Sequence, residues 1–187
     1  MEPLKYLAFY KPYGILSTFT DADGRATLKD FIPVPGVYSA GRLDLDSEGL
    51  LLLSNDGKFI HRLTDPKSHL PKTYLVHVEG LVAPEALSKL EQGVVIQGVR
   101  TRRCRVMAVE EPQLPLREKP ITPHGPTGWL RIELYEGKKR QIRHMTAAVG
   151  LFTLRIVRIA IGSITLVGLA PGEWRELTQV ELHQIQQ

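Results

Sequence analysis

Residues 41–57 read GRLDLDSEGLLLLSNDG. The four consecutive leucines, at 50–53, follow an acidic segment and end at the turn signal Asn-Asp-Gly. A continuous apolar run of this length between turn signals predicts a strand that is buried on both faces. Asp44 and Asp46 are therefore expected at the mouth of a buried element, close to Arg42. A carboxylate beside a guanidinium stays ionised, which suits it to act as a nucleophile or base.

The length and composition indicate a globular protein with a sizeable core. The chain has 187 residues, of which 43% are hydrophobic and 24% are charged. We expect one domain over residues 1–187, or two closely packed lobes that meet near residues 66–72. The net charge of +4 favours an acidic partner only mildly, because many basic proteins bind no nucleic acid.

Cysteine and histidine usage argues against disulfide and metal chemistry. Cys104 is the single cysteine, so no internal disulfide can form, and a reducing, cytoplasmic compartment is expected. Arginines beside it could lower its thiol pKa, but no partner base is evident, and a structural strand cysteine is predicted. The six histidines have no metal-ligand spacing, so we expect no metal. We find no membrane-spanning segment and no signal peptide.

The remaining periodicity predicts short strands and helices without regular strand–helix–strand alternation. Strands are expected at 4–10, 74–78 and 130–135, and a hairpin is expected to join 164–166 to 175–177. Helices are expected to begin after a capping box at Thr27, after Asn55 or Asp56, at Pro84 and at Gln141. The proline-rich segment 112–126 is predicted to be a loop. This order favours an α+β fold with a mixed, largely antiparallel sheet flanked by a few helices.

A second polar cluster, EGKKRQIRHM at 136–145, lies where a strand is predicted to give way to a helix. Lys138, Lys139, Arg140 and Arg143 all fall close to the predicted helix N-terminus, where cations oppose the helix dipole. They are poor helix stabilisers there, which favours contact with an anion, although a solvated basic turn remains the alternative. Tyr74, in a strand, is by itself most simply explained as core packing.

Taken in order, these motifs resemble the ribosomal small-subunit branch of the pseudouridine synthases. Gly-Arg-Leu-Asp with its apolar tail resembles the active-site segment of that family, which implies that Asp44 is the catalytic aspartate. The Gln-Ile-Arg of the second cluster resembles the motif whose arginine pairs with that aspartate, here Arg143. The Lys-x-Tyr at 72–74 resembles the strand whose tyrosine stacks on the target base and is proposed to remove the C5 proton, here Tyr74.

Two weaker motifs complete the resemblance. Lys11-Pro12-Tyr13-Gly14 is similar to a structural first motif, and LRIVR at 154–158 is similar to a fifth segment that usually has Leu at the position of Ile156. Arg42 is expected to fill the gap left by the flipped base or to contact a phosphate. The substrate-binding residues implied are Arg42, Lys138, Lys139, Arg140, Gln141, Ile156 and Arg158.

The resemblance implies the isomerisation of one uridine to pseudouridine in large-subunit (23S) ribosomal RNA. The segments 31–38 and 172–176 resemble a stand-alone member of the family, and the ten residues before Lys11 leave no room for a separate N-terminal RNA-binding domain. A monomer without cofactor or obligatory protein partner is expected. Two alternatives stay open at this point: a non-catalytic RNA-binding or ribosome-assembly factor, and a metal-dependent hydrolase that uses Asp44 and Asp46. Asp46 is also the rival of Asp44, because a strand-like backbone would point both the same way.

Overall fold

The computed structural model describes residues 3–186, with the side chains of Pro66 and Gln186 left aside. The strands in that part are β1 Tyr6–Lys11, β2 Tyr38–Ser39, β3 Glu48–Ser54, β4 Lys72–Glu79, β5 Val95–Ile96, β6 Val99–Arg100, β7 Arg105–Val109, β8 Thr127–Leu134, β9 Phe152–Ile161, β10 Ile164–Thr165 and β11 Trp174–Glu176. The α-helices are α1 Gly57–Thr64, α2 Pro84–Gln92, α3 Gln141–Ala147 and α4 Gln179–Gln186.

One large sheet organises the molecule in the order β11-β1-β3-β9-β4-β8-β7, with β2 added to β3 and β10 added to β9. Its strand pairs are antiparallel except for the parallel pair of β3 with β9. The predicted α+β class with a mixed, largely antiparallel sheet is therefore confirmed. Strands from both sides of residues 66–72 join this same sheet.

Strand β3 is the buried strand that the leucine run predicts, since every residue from Glu48 to Ser54 is buried. Its alternating side chains enter two different clusters because successive residues of a strand face opposite sides. Leu50 and Leu52 pack in a cluster that also holds Phe59 of α1. Leu51 and Leu53 pack on the other side, in a cluster that holds Phe9 of β1.

The other half of the sheet has its own core, built on one face of β4, β8 and β9. Val76, Ile132 and Ile156 of these strands pack with Leu90 of α2 and Met145 of α3. The two halves meet where β3 pairs with β9, and this pairing is short: Glu48 lies opposite Val157, and Gly49 lies opposite Arg158. The junction places the loop before β3 next to the neighbouring strands β9 and β4.

Gly49 is required at this junction by both space and backbone conformation. A Cβ added there would lie 2.3 Å from the carbonyl oxygen and 2.6 Å from the backbone nitrogen of Arg158. Its φ of +109° is also a conformation that side-chain-bearing residues rarely adopt. Glycine therefore lets β3 and β9 approach closely enough to join the halves of the sheet.

Local signals in the sequence predict several helix starts correctly. The Asp56 side chain accepts hydrogen bonds from the backbone nitrogens of Lys58 (2.9 Å) and Phe59 (3.3 Å), as the cap of α1. The capping box at Thr27 forms, with the Thr27 nitrogen donating to Asp30 Oδ2 at 2.7 Å, but it opens only a 3-10 turn, Leu28–Asp30. Helices α2 and α3 begin at Pro84 and Gln141 as expected, and the loop at 112–126 is confirmed.

The predicted C-terminal hairpin is wrong. Strand β10 pairs with β9, and β11 pairs with β1 instead of with β10. The reason lies in the turn at 171–173, whose backbone bonds to the free edge of β1. The Gly172 nitrogen donates to the Tyr10 oxygen at 2.8 Å, and the Tyr10 nitrogen donates to the Glu173 oxygen at 2.9 Å. Local turn signals cannot predict pairing with a strand edge that is so far away in the sequence.

No α-helix within residues 3–186 is long and apolar enough to cross a membrane.

We predict that Gly49→Ala lowers the free energy of unfolding by about 3 kcal/mol or more, because overpacking and backbone strain add. Gly57→Ala is the matched control, since a Cβ at this first residue of α1 meets nothing within 4 Å. The control is expected to be neutral or to stabilise by up to about 1 kcal/mol. Urea unfolding measures both variants, and equal midpoints for the two would contradict the role of Gly49.

Candidate active site

A cleft of about 670 Å³ opens at the junction of the two halves of the sheet. Its walls are the loop before β3, the ends of β4 and β9, and the segment that leads into α3. Nine of the ten site residues expected from the sequence line it: Arg42, Asp44, Tyr74, Lys138, Lys139, Arg140, Gln141, Ile156 and Arg158. Arg143, the tenth, does not line the cleft. A cleft of this size can hold a nucleotide-sized group.

Asp44 is half-buried at the lip of the cleft. Its backbone oxygen accepts a hydrogen bond from the Ser47 nitrogen at 3.0 Å, which closes the turn that carries Asp46. Within the described residues, no hydrogen bond or ion pair reaches the Asp44 carboxylate. This carboxylate is therefore available to a bound ligand.

Arg143, which the sequence motifs predict as the partner of Asp44, pairs with Asp46 instead. Arg143 Nη2 lies 3.0 Å from Asp46 Oδ2 and 3.3 Å from the Asp46 backbone oxygen, and Arg140 Nη2 lies 3.3 Å from the same carboxylate. The predicted direct pair of Arg143 with Asp44 is thus corrected. The cause is the turn at residues 45–46, which separates the two carboxylates that a strand would have pointed the same way.

Arg143 fixes this turn to the rest of the fold. Its Nη1 donates to the Thr153 oxygen at 3.2 Å, at the start of β9. Burial lowers the pKa of Arg143, while the negative charges of Asp46 and Asp44 oppose that shift. The guanidinium therefore connects α3, β9 and the turn, and its charge is felt at Asp44 without direct contact.

Three buried charged groups, whose roles sequence reasoning missed, hold the other end of the loop. Glu48 and Arg155 form a two-point ion pair, with Arg155 Nε 2.9 Å from Oε2 and Nη2 2.7 Å from Oε1. Lys11 Nζ is fully buried and donates to the Ser47 oxygen at 2.8 Å and the Pro12 oxygen at 3.0 Å. Burial lowers the pKa of Lys11 to about 8 even though Glu48, Asp46 and Asp44 favour its charge. The acid at position 48, at the start of the strand that holds the leucine run, was the signal available for this pair.

Tyr74, Ile156 and Arg158 form the floor of the cleft on adjacent strands. Tyr74 lies opposite Arg158 in the register of β4 and β9, and Ile156 lies opposite Val76. Arg158 Nε donates to the Leu50 oxygen at 2.7 Å, while its buried Nη2 has no hydrogen-bond partner among the described residues. Lys72 also lines the cleft, and burial together with the charge of Arg158 lowers its pKa. The floor thus combines an aromatic face with one buried and one half-buried cation.

The rim at 138–141 divides into exposed cations and one engaged amide. Lys138, Lys139 and Arg140 are exposed. Gln141 is buried: its Nε2 donates to Glu136 Oε1 at 2.7 Å, and its Oε1 accepts from the Lys138 nitrogen at 2.9 Å. These bonds occupy both polar atoms of Gln141, so in this structure the amide shapes the rim and does not offer a free group to a ligand.

Arg42 and Cys104 lie in opposite environments, one exposed and one buried. Arg42 is exposed and lines the cleft. Cys104 lies just before β7 and is buried, and burial raises the pKa of its thiol to about 11, opposite to the lowering that flanking arginines could cause. Within residues 3–186, no group of three His, Cys, Asp or Glu side chains could hold a metal ion.

Comparison with known proteins gives relatives along nearly the whole chain. A family model described as RNA pseudouridylate synthase matches residues 5–148. Ribosomal large subunit pseudouridine synthase E of Vibrio vulnificus is 49% identical over 176 residues, 93% of this chain and 75% of that protein. The protein of the same name from Xanthomonas campestris is 49% identical over 170 residues, 88% of this chain and 91% of its own. Ribosomal small subunit pseudouridine synthase A of Salmonella typhimurium is 35% identical over 185 residues, 97% of this chain and 74% of that protein.

Solved structures show the same fold. A crystal structure of a pseudouridylate synthase superposes with a TM-score of 0.82 at 29% identity, covering 99% of this chain and 75% of that one. A chain from an H/ACA RNP bound to a substrate RNA containing 2′-deoxyuridine gives a TM-score of 0.60 at 16% identity, over 86% of this chain and 48% of that one, a likeness of fold alone. The resemblance seen in the sequence motifs is confirmed, and the chain belongs to the RNA pseudouridylate synthase family.

Proposed function

We propose that this enzyme isomerises one uridine to pseudouridine in large-subunit ribosomal RNA, with Asp44 as the attacking group. The assignment rests on a contrast between three carboxylates. Those of Asp46 and Glu48 pair with arginines, whereas the carboxylate of Asp44, which lines the cleft, has no partner among the described residues. The relatives that are 49% identical and named for the large subunit support the choice of RNA.

The reaction balances within the substrate. The N1–C1′ bond of uridine breaks, the freed uracil turns, and a C5–C1′ bond forms. The proton lost from C5 is matched by one gained at N1, so no oxidant, reductant or energy source is consumed. The Asp44 carboxylate attacks either C1′ or C6. In both routes the enzyme needs an ionised carboxylate that is aimed before the substrate arrives.

Tyr74 and Ile156 would receive the base. C1′ is inaccessible within a helix, so the target nucleotide must leave the stack, and an aromatic ring compensates for the stacking it loses. Tyr74 is half-buried on the floor, packed against the core cluster that holds Ile156, so its ring is fixed in place. We assign the Tyr74 hydroxyl to removal of the C5 proton.

Arg143 serves as a positioning residue for Asp44. Its bonds to Asp46 and Thr153 fix the turn at one end, while Lys11 and the Glu48–Arg155 pair fix it at the other. A buried ion pair contributes little net stability but costs much to break, so these pairs suit the holding of a geometry better than the stabilising of a fold. Arg42, Lys138, Lys139 and Arg140 would meet RNA phosphates at the rim.

The assay is turnover on 23S ribosomal RNA, with pseudouridine counted after digestion, in the presence of excess chelator. We expect activity without cofactor or metal, because the isomerisation needs no external reagent. Loss of activity in chelator would favour the metal-dependent hydrolase over this proposal. RNA binding without any pseudouridine would favour a non-catalytic factor.

We predict that Asp44→Asn abolishes turnover and leaves RNA binding largely intact, because the amide keeps the shape and loses the charge. Asp46→Asn is the matched variant two residues away and is expected to retain measurable turnover, since it loses the ion pair but not the attacking group. Single-turnover rates and RNA affinities measure both. Activity of Asp44→Asn within about tenfold of wild type would remove Asp44 from the mechanism.

We predict that Arg143→Met and Asp46→Asn lower the rate constant non-additively, because both break the same contact. The double variant should be little slower than Arg143→Met alone, with the KM for RNA nearly unchanged. Arg143→Lys should recover part of the rate, since it keeps the charge near Asp44. Additive losses in the double variant would show that Arg143 does not act through Asp46.

We predict that Tyr74→Phe binds RNA normally but stalls after glycosidic cleavage, because the ring still stacks and the hydroxyl is gone. Mass spectrometry of the trapped RNA–enzyme mixture measures the stalled species. Normal turnover by Tyr74→Phe would leave Tyr74 with a stacking or packing role only.

A further inference from the structure

A second group of cations lies outside the cleft, on the segment that leads into the edge strand β7. Residues 100–105 read RTRRCR, and Arg100, Arg102, Arg103 and Arg105 are all exposed. We call these four residues the arginine ridge. The two other residues, Thr101 and Cys104, are buried. The segment thus turns two small side chains inward and leaves all four arginines exposed.

Two buried side chains anchor the ridge to the end of α2. Thr101 Oγ1 accepts a hydrogen bond from the Val94 nitrogen at 3.0 Å. Cys104 Sγ donates to the Leu90 oxygen at 3.2 Å, and the Cys104 nitrogen donates to the Glu91 oxygen at 3.2 Å. The arginine ridge is therefore held on a fixed backbone.

The arginine ridge is short of acidic partners. Arg105 has one, Glu133, at 3.4 Å. Within the described residues, Arg100 and Arg103 form no ion pair, and the side chain of Arg102 contacts only His69 Nδ1, at 3.1 Å. Charges on an edge strand can serve to prevent edge-to-edge pairing. That role accounts for Arg105 but not for the others, which precede β7.

The arginine ridge joins the mouth of the cleft. His69, which Arg102 contacts, lines the cleft, and so does Glu136, whose Oε1 accepts a hydrogen bond from the Arg102 nitrogen at 2.9 Å. Gly137 separates Glu136 from the exposed cations of the rim, and Lys138 Nζ lies 3.6 Å from Glu136 Oε2. Glu136 therefore connects the arginine ridge, through the Arg102 backbone, to the first cation of the rim.

We propose that the arginine ridge binds the phosphates of RNA that flanks the modified uridine. The proposal rests on the proposed function for the identity of the RNA. The segment from Arg100 to Arg105 spans at most about 18 Å, which is long enough to meet several phosphates of one strand. Planar guanidinium groups suit phosphate binding, and contacts of this kind carry no sequence preference. The arginine ridge therefore gives the enzyme affinity for long RNA and leaves the chemistry to the cleft.

The test compares two variants that lose the same charge. The ridge variant is Arg100→Gln/Arg102→Gln/Arg103→Gln, and the control is Lys29→Gln/Lys58→Gln/Lys119→Gln, whose lysines are exposed and do not line the cleft. Binding is measured against salt concentration with a 23S transcript and with a uridine oligomer of about two nucleotides, which is small enough to lie within the cleft. Urea midpoints check that both variants fold.

On the transcript, the ridge variant is expected to bind more weakly and to lower the log–log salt slope by about 2, at roughly 0.7 for each lost contact. The control variant should keep the wild-type slope, and both should bind the oligomer as wild type does. Equal slopes for the ridge and control variants on the transcript would overturn the proposal, as would an equal loss on the oligomer. Binding is read without turnover, so absence of pseudouridine in the wild-type assay would count against the proposed function alone.

Discussion

The close contact of Gly49 with Arg158 holds the two halves of the sheet together at the site of the cleft. The two halves of the sheet are joined by the short parallel pairing of β3 with β9, and Ile161 of β9 packs in the same cluster as Leu50 and Leu52. Two side-chain bonds to β3 reinforce this junction: Arg158 Nε to the Leu50 oxygen, and Arg155 to Glu48. A side chain at position 49 would push β3 and β9 apart. The cleft at their junction therefore depends on glycine at this position.

The same junction explains why the site is rich in buried cations. Lys11, Arg155 and Arg158 are buried at its centre, and Arg143 lies close behind. Three carboxylates, those of Asp44, Asp46 and Glu48, fall within five residues of the chain and face this positive environment. Two of them neutralise particular arginines, and the third is left for the substrate.

Local patterns predicted the elements well and their long-range partners poorly. The leucine run identified β3, and Asp56 identified the start of α1. Both signals are local, because a buried strand and a helix cap each depend on residues that are neighbours in the sequence. The pairing of β10 and β11 was wrong because the edge of β1 lies far away in the sequence. The Arg143–Asp46 pair was missed for a similar reason: which of two acids an arginine reaches depends on the turn at residues 45–46. Glu48 with Arg155 and the burial of Lys11 likewise depend on how β9 and β1 flank β3.

The proposed isomerisation by Asp44 can be tested in cells by mapping pseudouridine across 23S ribosomal RNA. RNA is compared from cells that lack this protein, from cells that express it, and from cells that express the Asp44→Asn form. The account predicts that one position loses pseudouridine in the absence of the protein, and that only the wild-type chain restores it. An unchanged map, or restoration by the Asp44→Asn form, would contradict the account.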